Sequence, residues 1–112
     1  MVEVVVTDEF RVWYEDLSIT EQESVERVVL RLEELGVGLG FPYSSAVKGS
    51  EYALREPRIQ HIGRPYRVFY AFDPKRQAVI LIGGDKTGRD RFYEEMVPTA
   101  EAIWREYIRQ IT

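Results

Sequence analysis

The chain has 112 residues, of which 45% are hydrophobic and none is cysteine, and its formal net charge is −4. This length fits one domain with its own core, which we place at residues 1–112. The lack of cysteine excludes disulfides, a thiolate nucleophile and a cysteine-based zinc site. Apolar runs reach five residues, far short of the roughly 20 of a membrane span, and no signal peptide opens the chain. The single histidine, His61, argues against a histidine-rich metal site. We therefore expect a soluble, metal-free, cytoplasmic domain.

The first third of the chain predicts a strand and a helical hairpin. Valines at alternate positions of residues 2–6 predict a short strand. Thr7 is a suitable N-cap for a first helix, because apolar residues then recur at helical spacing as far as Leu17. Thr20 and Glu23 match a capping box at the start of a second helix. Gly36 should end that second helix, which packs antiparallel to the first.

The middle of the chain predicts a loop followed by three strands. Residues 36–45 have glycines at the spacing of a phosphate-binding loop, but they follow a helix and precede none, which argues against dinucleotide binding. Strands are expected over residues 52–59, 66–72 and 77–84. Pro57 indicates that the first of them is an edge strand or contains a bulge. The other two should form an antiparallel hairpin.

The C-terminal segment returns to helical spacing over residues 89–112. Pro98 lies inside it and predicts a kink, or a short helix followed by a longer one. The predicted order is therefore β-α-α-β-β-β-α. It indicates an α+β domain with an N-terminal strand, a helical hairpin on one side of a small, mostly antiparallel sheet, and a C-terminal helix.

Charge is distributed unevenly along the chain. Residues 1–47 contain three basic and ten acidic side chains, whereas residues 48–92 contain ten basic and five acidic ones. This segregation can place one positive surface on an otherwise acidic domain. The alternative is that the basic side chains simply lie on the solvated faces of strands and loops.

Three segments of the basic region, together with the aromatic-rich C-terminal helix, match the pattern of a known family. They are Leu54–Ile59 (L-R-E-P-R-I), Gly63–Tyr70 (G-R-P-Y-R-V-F-Y) and Ile80–Thr87 (I-L-I-G-G-D-K-T). In order and spacing they resemble the RelE/ParE superfamily of toxins from type II toxin–antitoxin systems, in its HigB-like, phage-derived branch. The resemblance implies a RelE-like fold, no cofactor, and a cognate antitoxin that carries a helix-turn-helix domain.

The resemblance also implies an activity, for which two alternatives stay open besides a toxin that has lost its activity and retains only antitoxin binding. The first is a metal-independent endoribonuclease that cuts mRNA on the ribosome, an mRNA interferase. In that reaction the 2′-hydroxyl of the RNA attacks the adjacent phosphate, and the site can be built from Arg, Lys and Tyr. The second is a non-enzymatic ParE-like toxin that binds and poisons a protein such as DNA gyrase, which the net acidity favours. The two differ in whether the candidate residues converge in one cleft.

Arg67 and Arg58 are the candidates for binding phosphate. Arg67 matches the strand arginine of the family, and its guanidinium offers a fixed fork of donors to phosphate oxygens. Arg58 occupies the basic position of the preceding strand, where it would hold the RNA backbone. The alternatives are that Arg67 forms a surface ion pair and that Glu56, two residues before Arg58, neutralises Arg58.

Lys86, Tyr93 and His61 are the candidates for proton transfer and charge stabilisation. If Lys86 and Tyr93 share a cleft, the ammonium should lower the pKa of the phenol and make it a better acid or base. Tyr93 could instead be a core residue of the helix. His61 has an ordinary pKa near neutrality, although it could be a solvated turn residue. Further arginines are expected to bind RNA phosphates and make activity salt-sensitive: Arg55, Arg64, Arg89 and Arg91.

Overall fold

The computed structural model describes residues 2–39, 44–61 and 63–112, with Gln60 and His61 described by their backbone alone. Its elements, in chain order, are β1 (Val4–Val6), α1 (Asp8–Glu15), α2 (Ile19–Leu35), β2 (Ser44–Ala46), β3 (Arg55–His61), β4 (Arg64–Phe72), β5 (Ala78–Asp85) and α3 (Phe92–Ile111). A short 3-10 turn, Gly36–Gly38, follows α2.

The strands form one sheet in the order β1-β5-β4-β3-β2. β1 runs parallel to β5, and all other neighbours are antiparallel. This confirms the α+β class, but the sequence analysis missed β2 because its residues, Ser-Ser-Ala, carry no alternating hydrophobic pattern. The prediction that Pro57 marks an edge strand was wrong, because β2 pairs with β3 and makes it an interior strand. Pro57 lies opposite Ser44 of β2.

Helices cover both faces of the sheet, and the alternation along β4 sorts the core between them. On one face the helical hairpin packs Phe10, Val25 and Leu32 against Val68 and Tyr70. The opposite face is covered by α3. There the buried side chains of helix and sheet form a second cluster that includes Phe69, Ala71, Leu81, Phe92, Met96 and Ala100. The hairpin on one side of the sheet is therefore confirmed.

The start of α2 differs from the predicted one. The capping box is formed by Ser18 and Glu21, not by Thr20 and Glu23: Glu21 N donates to Ser18 Oγ at 3.2 Å, and Ser18 N donates to Glu21 Oε1 at 2.8 Å. Both pairs have the spacing that the motif requires. The Tyr66 hydroxyl of β4 also donates to Glu21, so a contact from the sheet selects the first pair. The predicted Thr7 cap is confirmed, because Phe10 N donates to Thr7 Oγ1 at 3.1 Å.

The C-terminal segment is one helix rather than a short helix followed by a longer one. α3 runs from Phe92 to Ile111 with Pro98 inside it. Pro98 lies on the exposed side, while Val97 and Ala100 are buried against the sheet. Packing of the buried side therefore keeps the helix continuous despite the hydrogen bond that proline removes.

Gly83 of β5 is required by the close approach of α1. A Cβ added at Gly83 would lie 2.4 Å from a ring carbon of Trp13. We expect Gly83→Ala to lower the free energy of unfolding by about 1–3 kcal/mol, the usual cost of overpacking a core. The urea midpoint measures this effect. Gly38→Ala is the matched control, because no atom lies within 4 Å of its added Cβ. Equal midpoints for the two variants would contradict the prediction.

Candidate functional site

A buried carboxylate lies on the sheet face that α3 covers. Glu56 of β3 is only 6% exposed, and its Oε1 accepts a hydrogen bond from the Tyr93 hydroxyl at 2.8 Å. Among the described residues its other oxygen, Oε2, has no hydrogen-bond partner. Burial raises the pKa of Glu56 above its ordinary 4.5, although the hydrogen bond from Tyr93 and the nearby positive charges act in the opposite direction. Those charges belong to Arg67, Lys86 and Arg58.

Sheet pairing brings the predicted cationic residues around this carboxylate. Arg58 of β3 lies directly opposite Arg67 of β4, and Arg67 lies opposite Gly84 of β5. Lys86 follows β5 immediately. The Arg67 Nη1 donates to the backbone oxygen of Tyr66 at 2.9 Å, whereas its buried Nε has no hydrogen-bond partner within the described part of the chain. The backbone therefore fixes the guanidinium of Arg67 close to Glu56.

Tyr93 lies on the first turn of α3 and covers Glu56 on the side of the sheet that faces this helix. Its ring meets Phe69 and Phe92 edge to face, with centroids 6.4 and 5.2 Å away. The Lys86 Nζ lies 4.9 Å from the centroid of the Tyr93 ring. Tyr93 is therefore a half-buried residue at the rim of the core, with its hydroxyl on Glu56.

The pKa of Tyr93 shifts opposite to the sequence-based expectation. Burial and the hydrogen bond to Glu56 raise the pKa of the phenol, and the opposing effect of Arg67 is smaller. The predicted lowering by Lys86 is therefore wrong in net direction, although Lys86 does lie beside the ring. A phenol whose pKa is raised stays protonated near neutral pH and is a weaker acid than usual, so Tyr93 holds its proton unless a strongly basic group takes it.

A groove opens beside the Glu56–Tyr93 pair. Its volume is about 380 Å³, within the range of small-ligand pockets. Residues of β2, of the following loop, of β3 and of α3 line it: Ser45, Ala46, Lys48, Glu56, Arg58 and Tyr93. Two positively charged side chains and a phenol around one concave surface suit a phosphate diester with its ribose.

Arg58 and Tyr93 are the predicted catalytic residues that line this groove, whereas Arg67 and Lys86 lie near Glu56 without lining it. No described contact brings the last of the predicted residues, His61, into the groove. Its side chain lies outside the described residues. Its backbone ends β3, opposite Arg64, instead of lying in a turn as the sequence suggested. The β3–β4 pairing therefore extends further than the predicted strands did. A catalytic role for His61 stays a prediction.

The predicted RNA-binding arginines divide into two groups. Three are exposed and have acidic neighbours: Arg64 lies 3.9 Å from Asp85, Arg89 lies 3.3 Å from Glu95 and Arg91 lies 2.9 Å from Glu94. These arginines surround the end of the sheet where β4 begins and β5 ends.

Arg55 is separated from the other predicted residues. It precedes Glu56 on β3 and therefore points to the opposite face. There it lines a different groove, of about 290 Å³, with Val37 and Phe72. Its predicted contact with RNA would require a second binding surface.

Glu56 is the residue whose role the sequence analysis missed. It was read as a neutralising neighbour of Arg58. The strand alternation already placed both side chains on the face of Arg67, which was the available signal. Its burial under Tyr93 and its unoccupied Oε2 depend on the docking of α3, which strand periodicity cannot reveal.

Within residues 2–39, 44–61 and 63–112, no three His, Asp or Glu side chains come together as a group able to hold a metal ion. None of the helices described is long and apolar enough to cross a membrane.

The raised pKa of Glu56 should make stability depend on pH. The folded state binds the Glu56 proton more tightly than the unfolded chain, so this stabilisation is complete below about pH 4.5 and is lost as the pH rises through the raised pKa. The free energy of unfolding of wild type relative to Glu56→Gln should therefore fall over that interval. Urea titrations of both proteins from about pH 4 to pH 8 measure the difference.

Glu106→Gln is the control of opposite sign. The hydrogen bond from Arg109 lowers the pKa of Glu106, so its stabilisation is present at high pH and lost on acidification. A wild-type stability relative to Glu56→Gln that rises with pH would contradict the assignment of Glu56 as a carboxylate destabilised by burial.

Comparison with known proteins places the chain in a family. The sequence profile of the family described as phage-derived protein Gp49-like matches residues 12–105. Two relatives from Mycobacterium tuberculosis carry the names of proposed toxins. HigB2 is 36% identical over 101 residues, which are 88% of this chain and 50% of HigB2. HigB3 is 32% identical over 99 residues, which are 88% of this chain and 86% of HigB3. The chain therefore spans about half the length of HigB2 and most of HigB3.

The fold has a solved counterpart. A double-mutant form of the E. coli toxin RelE in the free state superposes with a TM-score of 0.58, covering 85% of this chain and 94% of that one. Its sequence identity is 11%, so this likeness concerns the fold alone. The family profile matches most of the chain, and the similarity to HigB3 covers 86% of that protein. The chain belongs to the Gp49-like, phage-derived family of HigB-like toxins and has a RelE-like fold.

Proposed function

We propose that this chain is the toxin of a toxin–antitoxin system and acts as a metal-independent endoribonuclease on mRNA bound to the ribosome. The observation that carries the proposal is the convergence of Arg58, Arg67, Lys86 and Tyr93 around the buried Glu56. Positive charge, a proton acceptor and a proton donor thereby meet at one groove. These are the groups that attack by the RNA's own 2′-hydroxyl requires.

The arginines supply the electrostatic part of the reaction. Arg67 and Arg58 are opposed across β3 and β4, so their guanidinium groups can bind the oxygens of one scissile phosphate. Attack of the 2′-hydroxyl on phosphorus adds negative charge to those oxygens, and prearranged cations stabilise the resulting dianionic phosphorane. Lys86 adds a third positive charge beside Tyr93.

Glu56 and Tyr93 supply the proton transfers. Glu56, which contributes to the lining of the groove, accepts the proton of the 2′-hydroxyl, and burial makes this carboxylate a stronger base than an exposed one. The neutral Tyr93 donates its proton to the departing 5′-oxygen. The hydrogen bond between the two returns the proton from Glu56 to Tyr93 and restores both groups. The products are a 2′,3′-cyclic phosphate and a 5′-hydroxyl, and the protein ends unchanged.

The convergence also favours a nuclease over a ParE-like poison of a protein target. A toxin that acts only by binding has no need for a buried carboxylate, with one oxygen unpaired, beside a tyrosine and three cations. The proposal further includes an antitoxin partner with a helix-turn-helix domain, a cytoplasmic location, and contacts of Arg64, Arg89 and Arg91 with RNA phosphates. Those contacts would make cleavage weaken as salt rises.

Substitutions at the groove test the nuclease assignment. Arg67→Ala should slow cleavage of ribosome-bound mRNA by about 100- to 1,000-fold, since it removes donors that stabilise the phosphorane. Arg67→Lys should recover only part of the rate, because an ammonium lacks the guanidinium fork. Single-turnover cleavage of a short mRNA on ribosomes measures both.

Lys75→Ala is the matched control, because Lys75 is an exposed cation in the turn between β4 and β5, at the far end of the sheet from the groove. It should cleave at the wild-type rate. Undiminished cleavage by Arg67→Ala, or cleavage that needs divalent metal beyond what the ribosomes require, would refute the mechanism. Growth arrest by Arg67→Ala without RNA cleavage would favour the ParE-like alternative.

The pH dependence of cleavage tests the role of Glu56. The rate should rise as Glu56 loses its proton, with a midpoint above its ordinary pKa of 4.5 because burial raises that pKa. Glu56→Gln should cleave slowly and lose this rise, whereas Arg67→Ala should be slow but retain it. Single-turnover rates from about pH 5 to pH 8 distinguish the two. An unchanged profile in Glu56→Gln would assign the base to another group.

A further inference from the structure

The outer edge of β1 offers backbone hydrogen-bonding groups. β1 ends the sheet and has β5 as its neighbour. Ala78 N donates to Glu3 O at 2.9 Å, and Thr7 N donates to Ile80 O at 3.1 Å. Backbone groups of successive strand residues point alternately to the two sides, so those of Val4 and Val6 point away from β5. In the described part of the chain no strand pairs with this edge.

An apolar groove lies on the hairpin side of this edge. It has a volume of about 340 Å³ and runs between α1, α2 and the end of β1. Its apolar lining consists of Val6, Phe10, Tyr14, Val25, Val29 and Leu30. Val6 and Leu30 are 41% and 57% exposed, although both are large hydrophobic residues.

A second groove, also of about 340 Å³, lies on the α3 side of the same edge. Val6 lines both grooves, which therefore meet at β1. The second groove has three carboxylates in its lining: Asp8, Glu9 and Glu106. Nearby arginines partly compensate two of them, Asp8 through Arg11 at 3.0 Å and Glu106 through Arg109 at 2.6 Å. The edge of β1 thus separates an apolar groove from an acidic one.

We propose that a strand of the antitoxin adds to the edge of β1. Successive side chains of a strand point to opposite faces, so the residues of an added strand enter the two grooves in turn. The occupant that fits is a segment in which apolar residues alternate with Lys or Arg. The apolar side chains fill the groove at Leu30, and the basic ones meet the carboxylates of Glu9 and Glu106.

This docking surface lies at the opposite edge of the sheet from the catalytic groove. β1 and β2 are the two outermost strands, and the Glu56 groove is lined from β2 and β3. The added strand therefore leaves the Glu56 groove uncovered. Only the identity of the partner rests on the proposed function. The docking surface is tested by measuring binding, so the absence of nuclease activity would leave the binding result unchanged.

The test measures the dissociation constant of the purified cognate antitoxin, with Arg67→Ala as the toxin background to permit expression. Leu30→Glu places a charge in the apolar groove, and Glu106→Lys opposes the basic side chains. We expect each to weaken binding at least tenfold. Amide hydrogen exchange of the complex should show new protection at residues 4–6 and none at residues 55–58.

Ile19→Glu is the matched control, because Ile19 is a 74% exposed hydrophobic residue on α2 outside both grooves. It should bind as the background protein does, and thermal unfolding should show that all variants fold. Binding unaffected by Leu30→Glu and Glu106→Lys, or protection at residues 55–58 instead of 4–6, would overturn the proposal. The proposal would also be overturned if the chain alone forms a dimer and Leu30→Glu dissociates it, because a second copy of the chain would then bind at this edge.

Discussion

The burial of a carboxylate beneath α3 is the constraint on which the site depends. A buried charge is costly unless hydrogen bonds and opposite charges compensate it. One oxygen of Glu56 accepts a hydrogen bond from the Tyr93 hydroxyl, and the positive charges of three nearby side chains stabilise the carboxylate. The buried carboxylate is therefore stable only when α3, β3, β4 and the residue after β5 are all in their folded positions. Its other oxygen is buried and has no hydrogen-bond partner among the described residues, a cost that a purely structural ion pair would avoid.

The same arrangement explains why one strand can serve both core and site. Along β4, Val68 and Tyr70 face the helical hairpin, whereas Arg67 and Phe69 face α3. Phe69 packs against Phe92 and Tyr93, which anchors the first turn of α3 directly above the arginine. This packing thus fixes the position of Tyr93 relative to the cations. A rigid support of this kind is what electrostatic catalysis requires.

The uneven charge of the chain has a structural counterpart. Several basic residues of the central segment lie near Glu56 or at the end of the sheet where β4 begins, whereas Arg55 lies on the other face and Lys75 lies in the turn between β4 and β5. Acidic residues dominate the segment that forms β1 and the helical hairpin. An RNA ligand is attracted to the basic residues near Glu56 and repelled by the acidic segment. A basic partner experiences the reverse. The net charge of −4 is therefore the sum of an acidic N-terminal segment and a basic central one.

The sequence by itself determined the fold class and most of its elements, because periodicity is a local property of the chain. The family resemblance singled out Arg58, Arg67, Lys86 and Tyr93, whose catalytic role stays a prediction. The sequence pattern missed β2 and misplaced the capping box of α2, since those features depend on pairing with Pro57 and on the contact from Tyr66. Only the tertiary structure decided that Glu56 is buried and that the pKa of Tyr93 is raised. Desolvation depends on what covers a side chain, and α3, which supplies that cover, is distant in sequence from β3.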